Sequence, residues 1–355
     1  MPKQELALME KEEILNNRAF YDIRSILGNS NWAEIFAILG GRQAGKSYQV
    51  FDLFCHQWFK YGRTPFTWLR LTENSTRKLL NNNAFNFGDP DLKRKYHLNL
   101  KVKSENIFNI DENGDECLFA RCLALSTFYS DKGQGFFDKD ATGHFNICLD
   151  EMNKEKCEKR TIDIPYCFVN QIENLVRNMK TDENHQLKIF LLGNTLEESS
   201  DLMSCFNFLP QTFGRYKIKK KKLVVDYLPE SEAYLNMRKD SIASLLMGNA
   251  STFTNKIEFD LELISKKKLI TPYFIIKFSD DRKDWFTLYN DNIVNKYNNE
   301  TVKTAYAMIP YIRGEVYMKE KVDQIFNCYD LRQFRFHTLF CQREFRRNLE
   351  LVKPR

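Results

Sequence analysis

The stretch Ile35-Phe-Ala-Ile-Leu-Gly-Gly-Arg-Gln-Ala-Gly-Lys-Ser47 decides the fold of this chain. Its opening residues, 35–39, are a short apolar run, which is typical of a β-strand buried on both faces. Residues 40–47 follow the pattern G-x-x-x-x-G-K-[ST], and the apolar spacing of residues 47–61 predicts a helix directly behind them. Glycines between a strand and a helix let backbone N–H groups surround phosphate oxygens, and the helix adds the positive end of its dipole. The sequence therefore predicts a phosphate-binding loop, or P-loop.

The residues of this loop have different expected roles. Lys46 is expected to reach the β and γ phosphates of a nucleoside triphosphate, and the Ser47 hydroxyl is expected to bind Mg²⁺. A chance match to the pattern is disfavoured because both flanking elements are of the required type. The predicted nucleotide-binding residues are Gly40, Gly41, Arg42, Gln43, Ala44, Gly45, Lys46 and Ser47.

A second motif follows another apolar run. Residues 145–149, Phe-Asn-Ile-Cys-Leu, predict a strand, and Asp150 and Glu151 come directly after it. This is the form of a Walker B segment, in which the first carboxylate holds Mg²⁺ and the second is placed to polarise the attacking water. The alternative that Asp150 and Glu151 only cap the next helix stays open beside the catalytic interpretation.

A further buried strand is predicted over residues 188–192, and Gly193 and Asn194 follow it. If this strand lies beside the first, the Asn194 amide comes near the γ-phosphate and can sense it. The alternative is an asparagine that only satisfies a turn. The Asn-Lys-x-Asp motif with which GTPases read their base is missing, because Asn153-Lys-Glu155 and Asn255-Lys-Ile-Glu258 lack the aspartate. Adenine is therefore the predicted base, and ATP and Mg²⁺ are the predicted cofactors.

The order of the predicted elements favours an α/β fold with a mostly parallel sheet. Further strands are predicted at residues 66–70 and 222–226. The polar segment 72–143 is rich in Asn, Asp, Pro and Gly turn signals and is interpreted as an inserted lid with a small hairpin. The predicted domains are a P-loop ATPase domain, residues 1–228, a helical linker, residues 229–257, and a smaller C-terminal domain, residues 258–355.

Composition limits the class of protein. Lys and Arg outnumber Asp and Glu by 53 to 47, which gives a formal net charge of +6 and suits a polyanionic partner. The nine cysteines include no C-x-x-C pair, so neither a disulfide framework nor a four-cysteine zinc site is indicated. No apolar run approaches the roughly 20 residues needed to cross a bilayer. We therefore expect a soluble protein in a reducing compartment, with no membrane partner.

Taken together, these motifs resemble those of the DNA-packaging ATPases of phi29-like small tailed phages, relatives of large terminase subunits and FtsK/HerA translocases. The most specific matches are residues 40–47, Leu149-Asp-Glu151 and Leu192-Gly-Asn194, and Phe59-Lys-Tyr-Gly62 and Trp68-Leu-Arg70 add weaker support. The resemblance implies an ASCE-type P-loop NTPase fold. It also implies a motor that uses ATP to translocate double-stranded DNA into a preformed capsid.

The same resemblance implies an assembly and its partners. Members of the family form rings, by resemblance a pentamer here, in which a neighbouring subunit completes each catalytic site. Arg177 falls at the position of the trans-acting arginine finger, with a solvated helix arginine as the alternative. Lys132 falls at the position of a lid lysine, although Gly133-Gln-Gly135 departs from the family pattern. The implied partners are double-stranded DNA, the capsid portal and a packaging RNA, in the host cytoplasm and transiently at the portal vertex of the procapsid.

For the C-terminal domain the resemblance implies an α+β, RNase H-like fold, a vestigial nuclease that has lost its metal site. A two-metal site needs several converging carboxylates. The predicted strand 273–278 places Lys277 where the leading aspartate of such a site is expected, and Asp280, Asp281 and Asp284 fall in the following turn. Nuclease activity is therefore not expected. Basic clusters at residues 219–222, 266–268 and 343–347 are candidates for phosphate contacts, with a merely solvated surface as the alternative.

Two other classes of function compete with the motor. A self-contained P-loop NTPase or a small-molecule kinase shares the loop and the metal-binding aspartate, but a kinase does not need Glu151 beside Asp150. A binding module with a dead ATP site is disfavoured because Lys46, Ser47 and both carboxylates are present.

Overall fold

The computed structural model consists of two compact units. The first comprises Met1–Phe206 and Thr212–Ile257, and the second comprises Asn207–Gln211 and Glu258–Arg355. The structure describes residues 20–28, 30–41, 43–131, 143–153, 162–176, 185–194, 202–203, 206, 208, 210, 213–229, 232–239, 263, 272–279, 284–289, 293–296, 316–317, 325–336 and 339–352. Within these ranges no helix is both long enough and apolar enough to span a bilayer.

The first unit contains a nine-stranded sheet. Its strands are β1 (Ile35–Leu39), β2 (Phe66–Arg70), β3 (Leu100–Lys103), β4 (Asn106–Ile110), β5 (Glu116–Ala124), β6 (Gly143–Asp150), β7 (His185–Gly193), β8 (Gly214–Ile218) and β9 (Leu223–Tyr227). Their order across the sheet is β3-β4-β5-β2-β6-β7-β1-β9-β8. In this order, all neighbouring strands from β5 across β2, β6, β7 and β1 to β9 are parallel. The pairs at the two margins, β3–β4 and β4–β5 on one side and β9–β8 on the other, are antiparallel. The predicted mostly parallel α/β sheet is confirmed.

Helices pack on this sheet through apolar stripes. Those described in the first unit are α1 (Arg24–Leu27), α2 (Lys46–Lys60), α3 (Glu73–Ala84), α4 (Pro90–Lys95), α5 (Ile164–Leu175) and α6 (Glu232–Arg238). On α2 the buried side chains recur on one face, as an amphipathic helix requires, and include Val50, Phe54 and Trp58. The Phe54 ring lies 5.0 Å from that of Phe66 and 5.5 Å from that of Phe190. Burial of each such side chain stabilises the fold by about 1.5–3 kcal/mol.

Residues 72–131, together with residue 143, are the described part of the segment that was predicted to be an inserted lid with a small hairpin. After α3 and α4, the chain forms the β3–β4 hairpin and then β5, which lies parallel to β2 in the main sheet. The reason is burial: Phe119, Ala120 and Leu123 of β5 are almost inaccessible to solvent, so this strand belongs to the core. Up to residue 131 the segment widens the sheet, and its role as a lid stays a prediction.

A buried ion pair joins the β8–β9 hairpin to the segment that precedes β1. Arg215 donates from Nε and Nη2 to the two carboxylate oxygens of Asp226, each at 2.7 Å. Tyr21 donates its hydroxyl to Asp226 at 3.1 Å, and Arg215 donates to the Ser25 carbonyl at 2.5 Å. Burial, followed by the Asp226 charge, raises the pKa of the Tyr21 hydroxyl well above its ordinary value. These contacts hold residues 21–25 against the hairpin.

The second unit contains a five-stranded sheet. Its strands are β10 (Pro272–Lys277), β11 (Trp285–Tyr289), β12 (Ile293–Lys296), β13 (Val316–Tyr317) and β14 (Arg335–Phe336), and α7 (Leu339–Val352) follows them. The first three strands are antiparallel, β13 is parallel to β10, and β14 is parallel to β12. The Phe345 ring of α7 packs against the rings of Phe278, Phe286, Phe334 and Phe336. The RNase H-like character of this unit stays a prediction.

Lys277, which was expected in place of a catalytic aspartate, is buried at the end of β10. Its Nζ lies 4.2 Å from the centroid of the Trp285 ring. Asp284 accepts a hydrogen bond from the Ser279 hydroxyl at 2.7 Å, whereas Asp280, Asp281 and the cluster at 266–268 lie outside the described residues. Where the chain is described, no group of three or more His, Cys, Asp or Glu side chains is placed to hold a metal. The absence of nuclease activity stays a prediction.

Candidate active site

The P-loop connects β1 to α2 at the carboxyl edge of the sheet. It turns with positive φ at Gln43 (66°) and Gly45 (82°), and Gly45 is the N-cap of α2. At Gly45 the left-handed conformation favours a residue without Cβ. Among the described residues no side chain caps this end of α2, and its first turn carries no acid. The first N–H groups of the helix are therefore available to an anion.

Lys46 points back into this loop. Its side chain is buried, with 6% of the residue exposed. Nζ donates hydrogen bonds to the carbonyl oxygens of Gly40 at 2.9 Å and of Gly41 at 2.6 Å. The loop thus encloses a positive charge beside the backbone that is expected to hold phosphates.

Ser47 and Asp150 meet in space across 103 residues of sequence. Ser47 Oγ, in the first turn of α2, donates to Asp150 Oδ1, at the end of β6, at 3.0 Å. Burial raises the pKa of Asp150, and the Glu151 charge raises it further, whereas Arg70, Ser47 and Lys46 lower it. The Ser47 hydroxyl and the Asp150 carboxylate are oxygen ligands of the kind that Mg²⁺ binds. Asp150 must be ionised to bind the metal ion.

Arg70, at the end of β2, contacts both carboxylates. Its Nη2 lies 3.1 Å from Asp150 Oδ2, and its Nη1 forms a short ion pair with Glu151. Burial lowers the pKa of Arg70, but Asp150 and Glu151 outweigh burial and raise it above its ordinary value. Glu151 has a left-handed backbone (φ 59°), which costs about 1–2 kcal/mol in a residue with a Cβ. Arg70 thus holds the Glu151 carboxylate next to Asp150.

Asn194 lies between the P-loop and the two carboxylates, because β7 lies between β1 and β6. The Gly40 N–H donates to the carbonyl oxygens of Gly193 at 3.2 Å and of Asn194 at 2.9 Å. A Cβ on Gly193 would come within 2.8 Å of Leu39 Cδ2, so a larger residue there would require the Leu39 side chain to shift. The strand that precedes Asn194 lies beside the first strand, which is the condition for placing Asn194 near the P-loop. The γ-phosphate-sensing role of Asn194 stays a prediction.

Sequence reasoning missed two contributions to this site. No role was predicted for Arg70, although its side chain bridges the carboxylates of Asp150 and Glu151. Sequence reasoning also missed the segment before β1, where the Tyr21 N–H donates to the Ala44 carbonyl at 2.9 Å and the exposed Phe20 ring packs beside Gly45. An arginine at the end of a strand and an aromatic pair upstream of a P-loop are the available signals, and neither is specific.

Three predicted site residues, Arg42, Lys132 and Arg177, lie outside the described residues. Helix α5 ends at Leu175, two positions before Arg177. Their roles stay predictions. The structure brings the other predicted residues to one edge of the sheet: Gly40, Gly41, Gln43, Ala44, Gly45, Lys46, Ser47, Asp150, Glu151 and Asn194.

These residues fit a nucleoside triphosphate with Mg²⁺. The uncapped N-terminus of α2 and the buried Lys46 suit phosphate oxygens. The adjacent oxygens of Ser47 and Asp150 suit the metal ion, whose remaining ligands come from phosphates and water.

The fold and this site define an α/β protein with a P-loop after β1 and paired carboxylates at the end of β6. No protein-family model matches the chain, and no curated protein matches it. Among solved structures, the bacteriophage Phi-29 viral genome packaging motor assembly has a TM-score of 0.62 at 17% identity, covering 94% of this chain and 100% of that chain. The Phi-28 gp11 DNA packaging motor has a TM-score of 0.56 at 17% identity, covering 96% of this chain and 99% of that chain. The resemblance to phi29-like DNA-packaging ATPases is thereby confirmed at the level of the fold.

The contacts of Arg70 give a testable stability effect. Arg70→Ala leaves the buried Asp150 beside Glu151 without the guanidinium, and removing one partner of a buried ion pair typically costs about 3–5 kcal/mol. Since burial has already raised the pKa of Asp150, the folded variant holds a proton on Asp150 more tightly than the unfolded chain does. The free energy of unfolding of the variant is therefore expected to increase as the pH falls through the raised pKa of Asp150. It is expected to decrease again as the pH rises.

Thermal unfolding of the wild type and the variant at neutral and mildly acidic pH measures this effect. The matched control is Arg77→Ala, which removes an exposed arginine paired with Glu73 and is expected to cost less than about 1 kcal/mol. Equal losses from the two substitutions would contradict the buried role of Arg70.

Proposed function

We propose that this chain is the ATPase subunit of a ring-shaped motor that translocates double-stranded DNA into a preformed viral capsid. The observation that carries the proposal is the convergence of Lys46, Ser47, Asp150 and Glu151 at one edge of the sheet. The fold supports it, because packaging motors of two phages share that fold over nearly the whole chain.

The residues of the chain divide the chemistry of ATP hydrolysis among them. The P-loop N–H groups and Lys46 bind and neutralise the phosphates, and Ser47 and Asp150 hold Mg²⁺. The bound ion supplies positive charge to the β and γ phosphate oxygens. Glu151 orients and polarises the attacking water. Arg70 pairs with one oxygen of Glu151, Oε2, and a carboxylate has further lone pairs, so Glu151 can accept a hydrogen bond from water while this ion pair is kept.

The rest of the proposal concerns assembly. The subunits form a homo-oligomeric ring, a pentamer by resemblance, in which Arg177 of one subunit stabilises charge at the site of the next and Lys132 acts in trans or on DNA. A linker, residues 229–257, joins the ATPase domain, residues 1–228, to a C-terminal domain, residues 258–355, which binds nucleic acid without cutting it. The ring acts in the host cytoplasm at the portal vertex of the procapsid, with a packaging RNA as a further partner.

The test is the rate of ATP hydrolysis per subunit, measured as protein concentration and double-stranded DNA are each raised. A motor with shared sites is expected to hydrolyse ATP faster per subunit as the ring assembles, and faster again with DNA of any sequence. DNA binding is expected to weaken as salt rises, because phosphate contacts release counterions.

The competing class is a self-contained P-loop NTPase or kinase. Such an enzyme would hydrolyse ATP at the same rate per subunit at all concentrations, without a response to DNA, or would transfer phosphate to a small molecule. Either result would contradict the proposed motor function.

A further inference from the structure

A turn of consecutive lysines joins β8 to β9. The 3₁₀ turn Lys219–Lys221 is followed by Lys222, whose φ of 48° is left-handed. The Lys222 N–H donates to the Lys219 carbonyl at 3.1 Å, and the Lys222 carbonyl accepts from the N–H groups of Glu34 and Ile35, each at 3.0 Å. Backbone hydrogen bonds therefore hold the tip of this hairpin against the start of β1. A left-handed residue with a Cβ persists only where its surroundings enforce it.

The four lysines of this tip have different environments. Lys221 Nζ bonds the Phe206 carbonyl, and Lys222 Nζ pairs with Glu34. Lys219 and Lys220 are exposed, and within the described part of the chain neither has a hydrogen-bond or ion-pair partner. Two lysines thus anchor the turn, and the other two project from an ordered backbone.

The surroundings of the tip are basic. In the sheet register Ile35 pairs with both Ile189 and Leu223, so Lys188, Glu34 and Lys222 lie side by side at this amino edge. Burial lowers the pKa of Lys188, whose Nζ lies 5.3 Å from the centroid of the Phe36 ring. Glu34 is already paired with Lys222, so its charge does not compensate Lys219 and Lys220.

We propose that Lys219 and Lys220, at the tip of the β8–β9 hairpin, contact the phosphodiester backbone of double-stranded DNA. The inference rests on the proposed function and adds to it a DNA-contacting surface at the sheet edge opposite to the P-loop. Exposed ammonium groups on an ordered turn suit phosphates, because they attract charge without reading base edges. Such contacts are independent of sequence, as a translocating motor requires.

The other end of the same hairpin is tied to the ATP site. Asp226 of β9 binds Arg215 and Tyr21, and the Tyr21 N–H bonds the P-loop at Ala44. The strand β9 has five residues and spans about 17 Å. One short, rigid element therefore joins the lysine tip to the loop that holds the phosphates, and DNA bound at the tip is expected to affect the ATPase rate.

The experiment compares full-length wild-type protein with Lys219→Ala/Lys220→Ala in binding to a random-sequence DNA duplex over a range of salt concentrations. Each phosphate contact contributes about 0.9 to the slope of log affinity against log salt, so the slope is expected to fall by about 1–2 in the double variant. Affinity at low salt is expected to fall several-fold. Basal ATP hydrolysis is expected to stay unchanged, and its stimulation by DNA is expected to decrease.

Two further variants serve as controls. Lys78→Ala/Lys239→Ala removes the same charge from exposed lysines elsewhere in the first unit and is expected to leave binding unchanged. Lys219→Arg/Lys220→Arg keeps the charge and is expected to retain wild-type binding. If Lys219→Ala/Lys220→Ala keeps the wild-type slope and affinity, or if Lys78→Ala/Lys239→Ala loses as much, the inference is wrong. Neither result would contradict the proposed motor function. Preferential binding of the wild type to an RNA duplex, lost in the Ala variant, would overturn the assignment to DNA. Failure of the wild type itself to bind DNA would overturn the proposed function.

Discussion

Glu151→Gln is expected to stop ATP hydrolysis while leaving ATP bound. A carboxylate that accepts a hydrogen bond from the attacking water typically contributes about 10²–10⁴-fold in rate, and an amide does not replace it. Glutamine has nearly the same shape as glutamate, so the backbone conformation at position 151 and the surrounding packing are retained. The contacts proposed for Lys46 with the phosphates, and for Ser47 and Asp150 with Mg²⁺, do not involve the side chain of residue 151.

Equilibrium binding of a fluorescent ATP analogue and single-turnover hydrolysis measure the two effects separately. Lys46→Ala is the complementary control, because it removes the buried ammonium of the loop and is expected to weaken nucleotide binding itself. A Glu151→Gln variant that hydrolyses ATP at the wild-type rate would remove Glu151 from the mechanism.

Arg177→Ala is expected to leave ATP binding nearly intact and to remove most of the hydrolysis, by about 10³–10⁵-fold if Arg177 acts as an arginine finger. The loss is expected only in assembled protein, because the proposed finger would act at the site of a neighbouring subunit. Hydrolysis by dilute, dissociated subunits is expected to be the same in the variant and the wild type.

Mixing two inactive variants tests whether the site is shared. Arg177→Ala chains keep Glu151, and Glu151→Gln chains keep Arg177, so a mixed ring contains some interfaces at which both groups are present. Partial recovery of hydrolysis is the expected result. A mixture that stays inactive while its subunits demonstrably exchange would assign Arg177 to a solvated surface.

Arg70 connects the chemistry of the site with its stability. The guanidinium of Arg70 neutralises the Asp150–Glu151 pair, which would otherwise bring two carboxylates together next to a buried position. If Ser47 and Asp150 hold Mg²⁺, its charge would take over part of the neutralisation that Arg70 provides. The stability loss of Arg70→Ala is therefore expected to be smaller when Mg²⁺ and nucleotide are present.

Local sequence was sufficient for the centre of the first unit. The strands β1 and β2 have the predicted bounds, and α2 is shifted by one residue from its prediction. Strands buried on both faces of a parallel sheet must be apolar throughout, and a P-loop needs its glycines and lysine at fixed spacing. Both requirements act within a few neighbouring residues, so both can be recognised in a single amino-acid sequence. For the same reason Lys46, proposed to bind the phosphates, and Ser47, proposed to bind Mg²⁺, could be named in advance.

Only the tertiary structure decided the rest, because the deciding contacts join residues far apart in sequence. The strand β5 belongs to the main sheet since the parallel edge of β2 is there to receive it, and nothing within residues 116–124 specifies that neighbour. Arg70 faces the carboxylates that follow β6 because β2 lies beside β6. Tyr21 reaches Asp226 across 205 residues. Sequence alone thus determined the loop of the phosphate-binding type, whereas the pairing of the strands decided which charges surround it.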